Sequence, residues 1–200
     1  MKTINRGNST FEVLRTNDYV YIDKTKYLYN LIKDDGSYYF LSRPRRFGKS
    51  LTLSTLESIF KGKRELFKGL FIDTLDYDWK EYPVIHIDFS DITYNSTEGL
   101  KDKIRNNLLF IAGVYGVILP DFYDYDEAFK FLIIELAKRE KVVVLIDEYD
   151  SLLNSNVNNE NIEGIREVLR GFYSVLKASS ANIRFCFITG VTKFSKMSIF

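Results

Sequence analysis

Phe40-Leu41-Ser42-Arg43-Pro44-Arg45-Arg46-Phe47-Gly48-Lys49-Ser50-Leu51 is an apolar run that breaks into a basic, proline-containing loop and re-enters an apolar pattern of helical spacing. Tyr38 to Leu41 reads as a short strand ahead of Pro44. Leu51, Thr55, Ser58 and Ile59 then mark one face of a helix over Ser50 to Phe60. A strand, a loop and a helix start in this order leave the first amides of the helix and its dipole facing the loop, an arrangement that suits an oligophosphate. Gly48 lets the main chain approach the phosphates, Lys49 spans the β and γ groups, and the Ser50 hydroxyl is a ligand for Mg²⁺. The full pattern places glycine five positions before Gly48, where this chain has Arg43. Pro44 fixes its own φ and steers Arg43 away from the α region, so a stiff loop stands where a flexible one is usual. Arg43, Arg45 and Arg46 add permanent positive charge, for phosphates or for carboxylates of a neighbouring element.

Outward from this loop, three further apolar runs read as strands: Val84 to Phe89 after Pro83, Val142 to Ile146, and Arg184 to Thr189. Helix-length segments lie between them at roughly 98–115, 126–139 and 162–179, the second carrying Phe129, Leu132, Ile133 and Leu136 on one face. Strands apolar on both faces and separated by helices predict βαβ units, hence an α/β fold with a mainly parallel sheet between two helical layers. Ahead of the first strand, Tyr19 to Thr25 reads as a short strand or turn, and Tyr27, Leu28, Leu31 and Ile32 mark a helix. This N-terminal segment is open to two readings, a flap packed on the sheet or a contact for a ligand's base. Asn154 to Asn161, with five asparagines in eight positions, is expected to be a surface loop.

The run Val142-Val143-Val144-Leu145-Ile146 ends in Asp147-Glu148. Two carboxylates at the end of a core strand need a cation, a basic partner or a solvent-filled crevice. In an open parallel sheet the carboxyl ends of the strands line the ligand crevice, where the loop after Leu41 also emerges. Asp147 is therefore expected to manage Mg²⁺ with Ser50, and Glu148 to polarise a water attacking a γ-phosphate. Asp150 is expected to cap a helix or turn. Thr189, at the end of the last strand, either orients that water and senses the γ-phosphate or begins a plain turn, while Lys193 and Lys196 are read as solvated charges.

Composition removes other classes. The 200 residues allow one domain or slightly more. With 28 basic against 27 acidic residues, a net charge of +1 leaves no global footprint for nucleic acid or membrane, so any anion site is local. One cysteine, Cys186, excludes a disulfide framework and reads as a small core residue. The lone His86 cannot form a metal cluster with it, so metal chemistry here uses oxygen ligands. No stretch has the length of a membrane span or signal peptide, and the chain is expected to be cytoplasmic.

Taken with Tyr21-Ile22-Asp23-Lys24-Thr25, Tyr82 to Ser90, Ile146 to Asp150 and Thr189 to Ser195, the loop sequence resembles the prokaryotic AAA-ATPase-like domain family over nearly the whole chain. The arginine-proline form of the loop is typical of that family. The resemblance implies a P-loop NTPase core of the additional-strand class, with the Thr189 strand lying between the loop strand and the Asp147 strand. It implies ATP as the nucleotide, and one domain over 1–200 with a flap at 1–35 and a core at 36–200. It also implies a further strand, a helical lid and a C-terminal nuclease-like domain of the PD-(D/E)XK type, none of which is reached before Phe200, so a fragment or a truncated reading frame is expected.

The resulting expectation is a Mg²⁺-dependent ATPase that couples nucleotide state to an attached module. Arg43, Arg45, Arg46, Gly48, Lys49, Ser50 and Leu51 hold phosphates, Ser50 and Asp147 the metal, and Glu148, Lys49 and Thr189 serve the chemistry. The alternatives are a nucleotide-binding scaffold without turnover and a nucleic-acid-binding module using the arginine loop. A small-molecule kinase is a lesser alternative, since adjacent Asp147 and Glu148 suit activation of water better than of a substrate hydroxyl. Neither ATP over GTP nor the oligomeric state is fixed by these residues.

Overall fold

A computed structural model describes residues 3, 7, 10–33, 37–92, 94, 96–154 and 162–192. The expected loop at Asn154 to Asn161 lies outside the described residues from position 155 on, as do Lys193 and Lys196. Four strands form one sheet: β1 (Ser37–Ser42), β2 (Val84–Asp88), β3 (Val142–Asp147) and β4 (Ile183–Gly190). Their order is β1-β4-β3-β2 and every pairing is parallel. The strand carrying Thr189 thus sits between the loop strand and the Asp147 strand, as the resemblance implied.

Parallel neighbours need crossover connections, and the helices supply them. α3 (Lys49–Phe60) leads from β1 towards β2, α4 (Thr97–Val114) and α5 (Tyr125–Ala137) lead to β3, and α7 (Ile162–Ala178) leads to β4. Alternation along the strands distributes the core between two faces. Val84, Val143, Leu145, Phe185 and Phe187 meet Leu53, Leu56 and Phe60 of α3. Ile85, Ile87, Val144, Ile146, Cys186 and Ile188 meet α4, α5 and α7, where Phe129 and Phe172 stack with centroids 4.4 Å apart. Cys186 is the core residue expected, and burial pushes its thiol up to about 12. The architecture is three layers, α/β/α.

Of the two short helices ahead of the sheet, the second is the one that Tyr27, Leu28, Leu31 and Ile32 marked, and the first was not anticipated. α1 (Phe11–Thr16) and α2 (Thr25–Ile32) bury Phe11, Leu28 and Ile32 in the same cluster as α3. Tyr19 to Lys24, expected as a strand or turn, joins no ladder among the described residues, and Thr25 opens α2. α6 (Ser151–Asn154) is a single turn after β3. Among the described residues, no helix is long and apolar enough to cross a membrane.

The expected lone histidine ties β2 to α3: His86 Nδ1 lies 2.9 Å from Glu57 Oε2, and Lys61 donates to Glu57 Oε1 at 2.6 Å. Burial works to raise the Glu57 carboxyl, but the bonds and charges of His86 and Lys61 outweigh it and hold the group down at about 2. A folded carboxyl below its unfolded value stabilises the fold fully above about pH 5, and that stability drains away as pH falls towards 2. Glu57→Gln is expected to cost about 1–3 kcal/mol at pH 7. Urea midpoints should show the gap between native and variant closing below pH 4; a gap unchanged down to pH 3 would remove this role.

Candidate functional site

All four strands are parallel, so their carboxyl ends share one edge. Asp88 is in register with Asp147, and Ser42 with Gly190. The loop from Arg43 to Gly48 springs from this edge and turns into α3 through two left-handed residues, Arg46 at φ 66° and Gly48 at φ 77°. Only glycine takes that conformation without strain, which accounts for Gly48; Arg46 holds it against its side chain. The first amides of α3 have no partner within the helix, and they open on a cavity of about 350 Å³ lined by Arg46, Gly48, Lys49, Ser50, Leu51 and Glu148, with Gly7 at its margin.

Lys49 is only 4% exposed, although its side chain ends in an amine that is ordinarily charged and hydrated. Among the described residues its ammonium has one hydrogen bond, donated to Pro44 O at 3.4 Å. A buried cation so thinly satisfied calls for an anion. Glu148, across the cavity, is half-buried with φ 47°, a left-handed conformation unusual for a side chain of its size. Burial first, then the neighbouring Asp147 and Asp88, raise its carboxyl against the opposing pull of Lys49 and Arg45. The two segments nearly a hundred positions apart therefore wall one cavity.

Asp147 is 2% exposed and does not line that cavity. Its Oδ1 accepts the Glu148 amide at 3.0 Å and a short bond from the Thr189 hydroxyl. Thr189 is fully buried, and its Oγ1 also accepts the Glu148 amide at 3.3 Å. Its proton is committed to Asp147, which makes Thr189 a positioning group for the two acids. Asp150 caps the end of β4: its carboxylate accepts the amides of Val191 and of Thr192, the latter at 2.6 Å. The expected cap is thus real but serves a turn some forty residues away.

The three loop arginines diverge. Arg43 sends its amide to Gly190 O at 3.1 Å and its Nη1 to Ser42 O at 3.1 Å, tying the loop to the strand ends. Arg46 faces the cavity of Lys49. Arg45 lines a second, smaller cavity of about 150 Å³ behind Glu148, together with Ser90, Tyr94 and Ser151. Ser90 is held by Asp88, whose Oδ1 accepts both its amide and its hydroxyl. Ser90 and Ser151 escaped the sequence reading because a serine after a strand carries no distinguishing signal.

A third cavity, about 380 Å³, adjoins the first through their shared residues Gly48 and Leu51. Its remaining wall is largely the N-terminal segment: Val20, Tyr21, Ile22 and Leu28, with Thr52 and Thr55 of α3. The flap reading and the ligand-contact reading are therefore compatible: α1 and α2 pack on α3 while the segment between them walls a cavity.

Comparison with known proteins gives two findings. A protein of Azotobacter chroococcum mcd 1 described as "Uncharacterized protein in vnfD 5'region" is 41% identical over 199 residues, covering 97% of this chain. The chain spans only 38% of that relative's length. A family model described as Predicted AAA-ATPase, AAA-ATPase-like, matches residues 5–200. That match takes in the arginine-proline loop, the acidic end of β3 and the strand inserted between them, and so this chain belongs to the predicted AAA-ATPase family.

Proposed function

We propose that the chain binds ATP with Mg²⁺ in the two adjoining cavities and hydrolyses it, in the cytoplasm, using nucleotide state to reposition an attached module. Membership of the family supports nucleotide binding in general. The observation that carries the reading is the buried Lys49 ammonium, held among the described residues by a single 3.4 Å bond, in a cavity that the first amides of α3 open on and that Glu148 faces. The contiguous apolar cavity of Val20, Tyr21 and Ile22 supports a nucleoside's base and sugar beside the phosphates. Two of the three loop arginines face Glu148 or Lys49, which favours phosphate over nucleic acid as their partner.

The donor set suits Mg²⁺. Among the described residues no three ligating His, Cys, Asp or Glu converge, and Mg²⁺ characteristically takes one or two protein oxygens with the rest from phosphates and water. Ser50 Oγ and Asp147 Oδ2, which accepts no hydrogen bond among the described residues, are the groups that would hold it. When bound, the ion would neutralise charge on the β- and γ-phosphate oxygens. In this reading Lys49 and the α3 amides bind and orient the γ-phosphoryl group. Glu148 takes the proton of the attacking water. Thr189 holds Asp147 and the Glu148 backbone in place, and the relative's greater length is consistent with a module attached to such a domain.

Calorimetric titration of ATP and GTP, with and without Mg²⁺, tests the reading. Mg²⁺-dependent ATP binding is expected in the native chain, and Lys49→Ala is expected to weaken it by roughly 10–100-fold, the worth of one charge-assisted contact. Unchanged affinity in Lys49→Ala would overturn the site.

A further inference from the structure

We propose that Arg45 is a catalytic cation supplied in cis, which reaches the γ-phosphoryl group from the water side in the transition state. The inference rests on the ATP-hydrolysing reading and narrows the general phosphate-holding role of Arg45 to the γ-phosphoryl group in the transition state.

The geometry separates Arg45 from its neighbours. The left-handed turn at Arg46 lets adjacent side chains face different cavities, Arg46 with Lys49 and Arg45 with the far side of Glu148. Glu148 is the wall common to both cavities. Arg45 is exposed, and its charge is felt at the Glu148 carboxyl. Other arginines of the chain are tied to backbone carbonyls: Arg15 to Leu66 O at 2.7 Å, Arg105 to Tyr123 O at 2.8 Å, and Arg184 to Ile32 O at 2.7 Å. Among the described residues no hydrogen bond or ion pair holds the Arg45 guanidinium. Among the described residues it is the cation that lines this cavity.

The chemistry calls for such a group. As water attacks, its oxygen bonds to the γ-phosphorus while the bond from phosphorus to the β–γ bridging oxygen breaks. The electron pair leaves with the nucleoside diphosphate, and the water proton passes through Glu148 to the released phosphate. Charge spreads over the equatorial phosphoryl oxygens, and a guanidinium arriving there is a recognised source of rate in phosphoryl transfer. In the proposed binding mode Lys49 and the amides of α3 meet the phosphates from their own cavity, on the leaving-group side. The 150 Å³ cavity has room for several waters at about 30 Å³ each and opens beside Glu148, so Arg45 stands on the side from which the nucleophile comes. Its planar fork suits two phosphoryl oxygens at once.

The test compares Mg²⁺-ADP binding with and without aluminium fluoride, the transition-state mimic, in the native chain, Arg45→Ala and Arg45→Lys. Arg45→Ala is expected to keep ADP affinity within about threefold and to weaken the fluoroaluminate complex by roughly 10–100-fold, with Arg45→Lys in between. Equal affinities in native and Arg45→Ala proteins would overturn the proposal, as would equal losses with and without fluoride, which would mark a ground-state contact. A native chain that binds neither ADP nor ATP would instead overturn the nucleotide reading, and this proposal with it.

Discussion

Replacing Glu148 by glutamine is expected to lower ATP turnover by about 10²–10⁴-fold, the usual worth of a general base, while leaving ATP affinity within a few-fold of native. The substitution keeps the shape of the side chain and removes its capacity to take a proton. Among the described residues, this one alone lines both cavities, the one of Lys49 and the one of Arg45. Its left-handed backbone is held by bonds from its amide to Asp147 Oδ1 and Thr189 Oγ1, neither of which glutamine disturbs. Burial and Asp147 also raise the carboxyl, which makes it a stronger base than an exposed glutamate. Phosphate release at saturating ATP, measured beside calorimetric affinity, checks the expectation. Full turnover in the variant would move water activation elsewhere; no turnover in the native chain, with affinity intact, would favour the scaffold reading.

The layers were open to inference because the inner strands are β-branched or aromatic runs too apolar to leave a face in water, whereas the strand order came from the family resemblance. Val142 to Ile146 is buried on both sides, and only a sandwiched parallel sheet accommodates that. The loop and the acids of β3 were legible for a related reason: charges beside an apolar strand have few stable locations. What stayed hidden was direction. Arg43, Arg45 and Arg46 are equivalent as letters, yet Arg43 is tied to the strand ends while Arg45 and Arg46, on either side of a left-handed turn, line different cavities. Thr189 likewise read as either a group for water or the start of a plain turn, whereas its hydroxyl is buried against Asp147. α1 and α6 were missed because six and four residues are too few to show a helical period.

Gly190→Ala is expected to destabilise the fold by about 3 kcal/mol, within the range for overpacking a closed core, and to lower the melting temperature by about 6–12 °C for a chain of this size. A Cβ at this position would fall inside the ring edge of Tyr149 and 2.8 Å from Asp150 Oδ1. Neither neighbour can retreat cheaply. Tyr149 is fully buried, meets Phe40 edge-on with centroids 5.2 Å apart, and donates its hydroxyl to Thr192 O at 2.8 Å. Asp150 holds the amides of Val191 and Thr192. Gly190 is therefore required for contact and not for a left-handed backbone. The strain would also be local to the site, because Gly190 O anchors Arg43 and the displaced residues directly follow Glu148. A double-mutant cycle isolates the cause. Tyr149→Ala costs stability by itself, but it removes the ring that the new methyl would strike, so the pair should cost less than the sum by about 1 kcal/mol or more. Strict additivity in thermal melts would show that Gly190 matters for some reason other than its close approach to Tyr149.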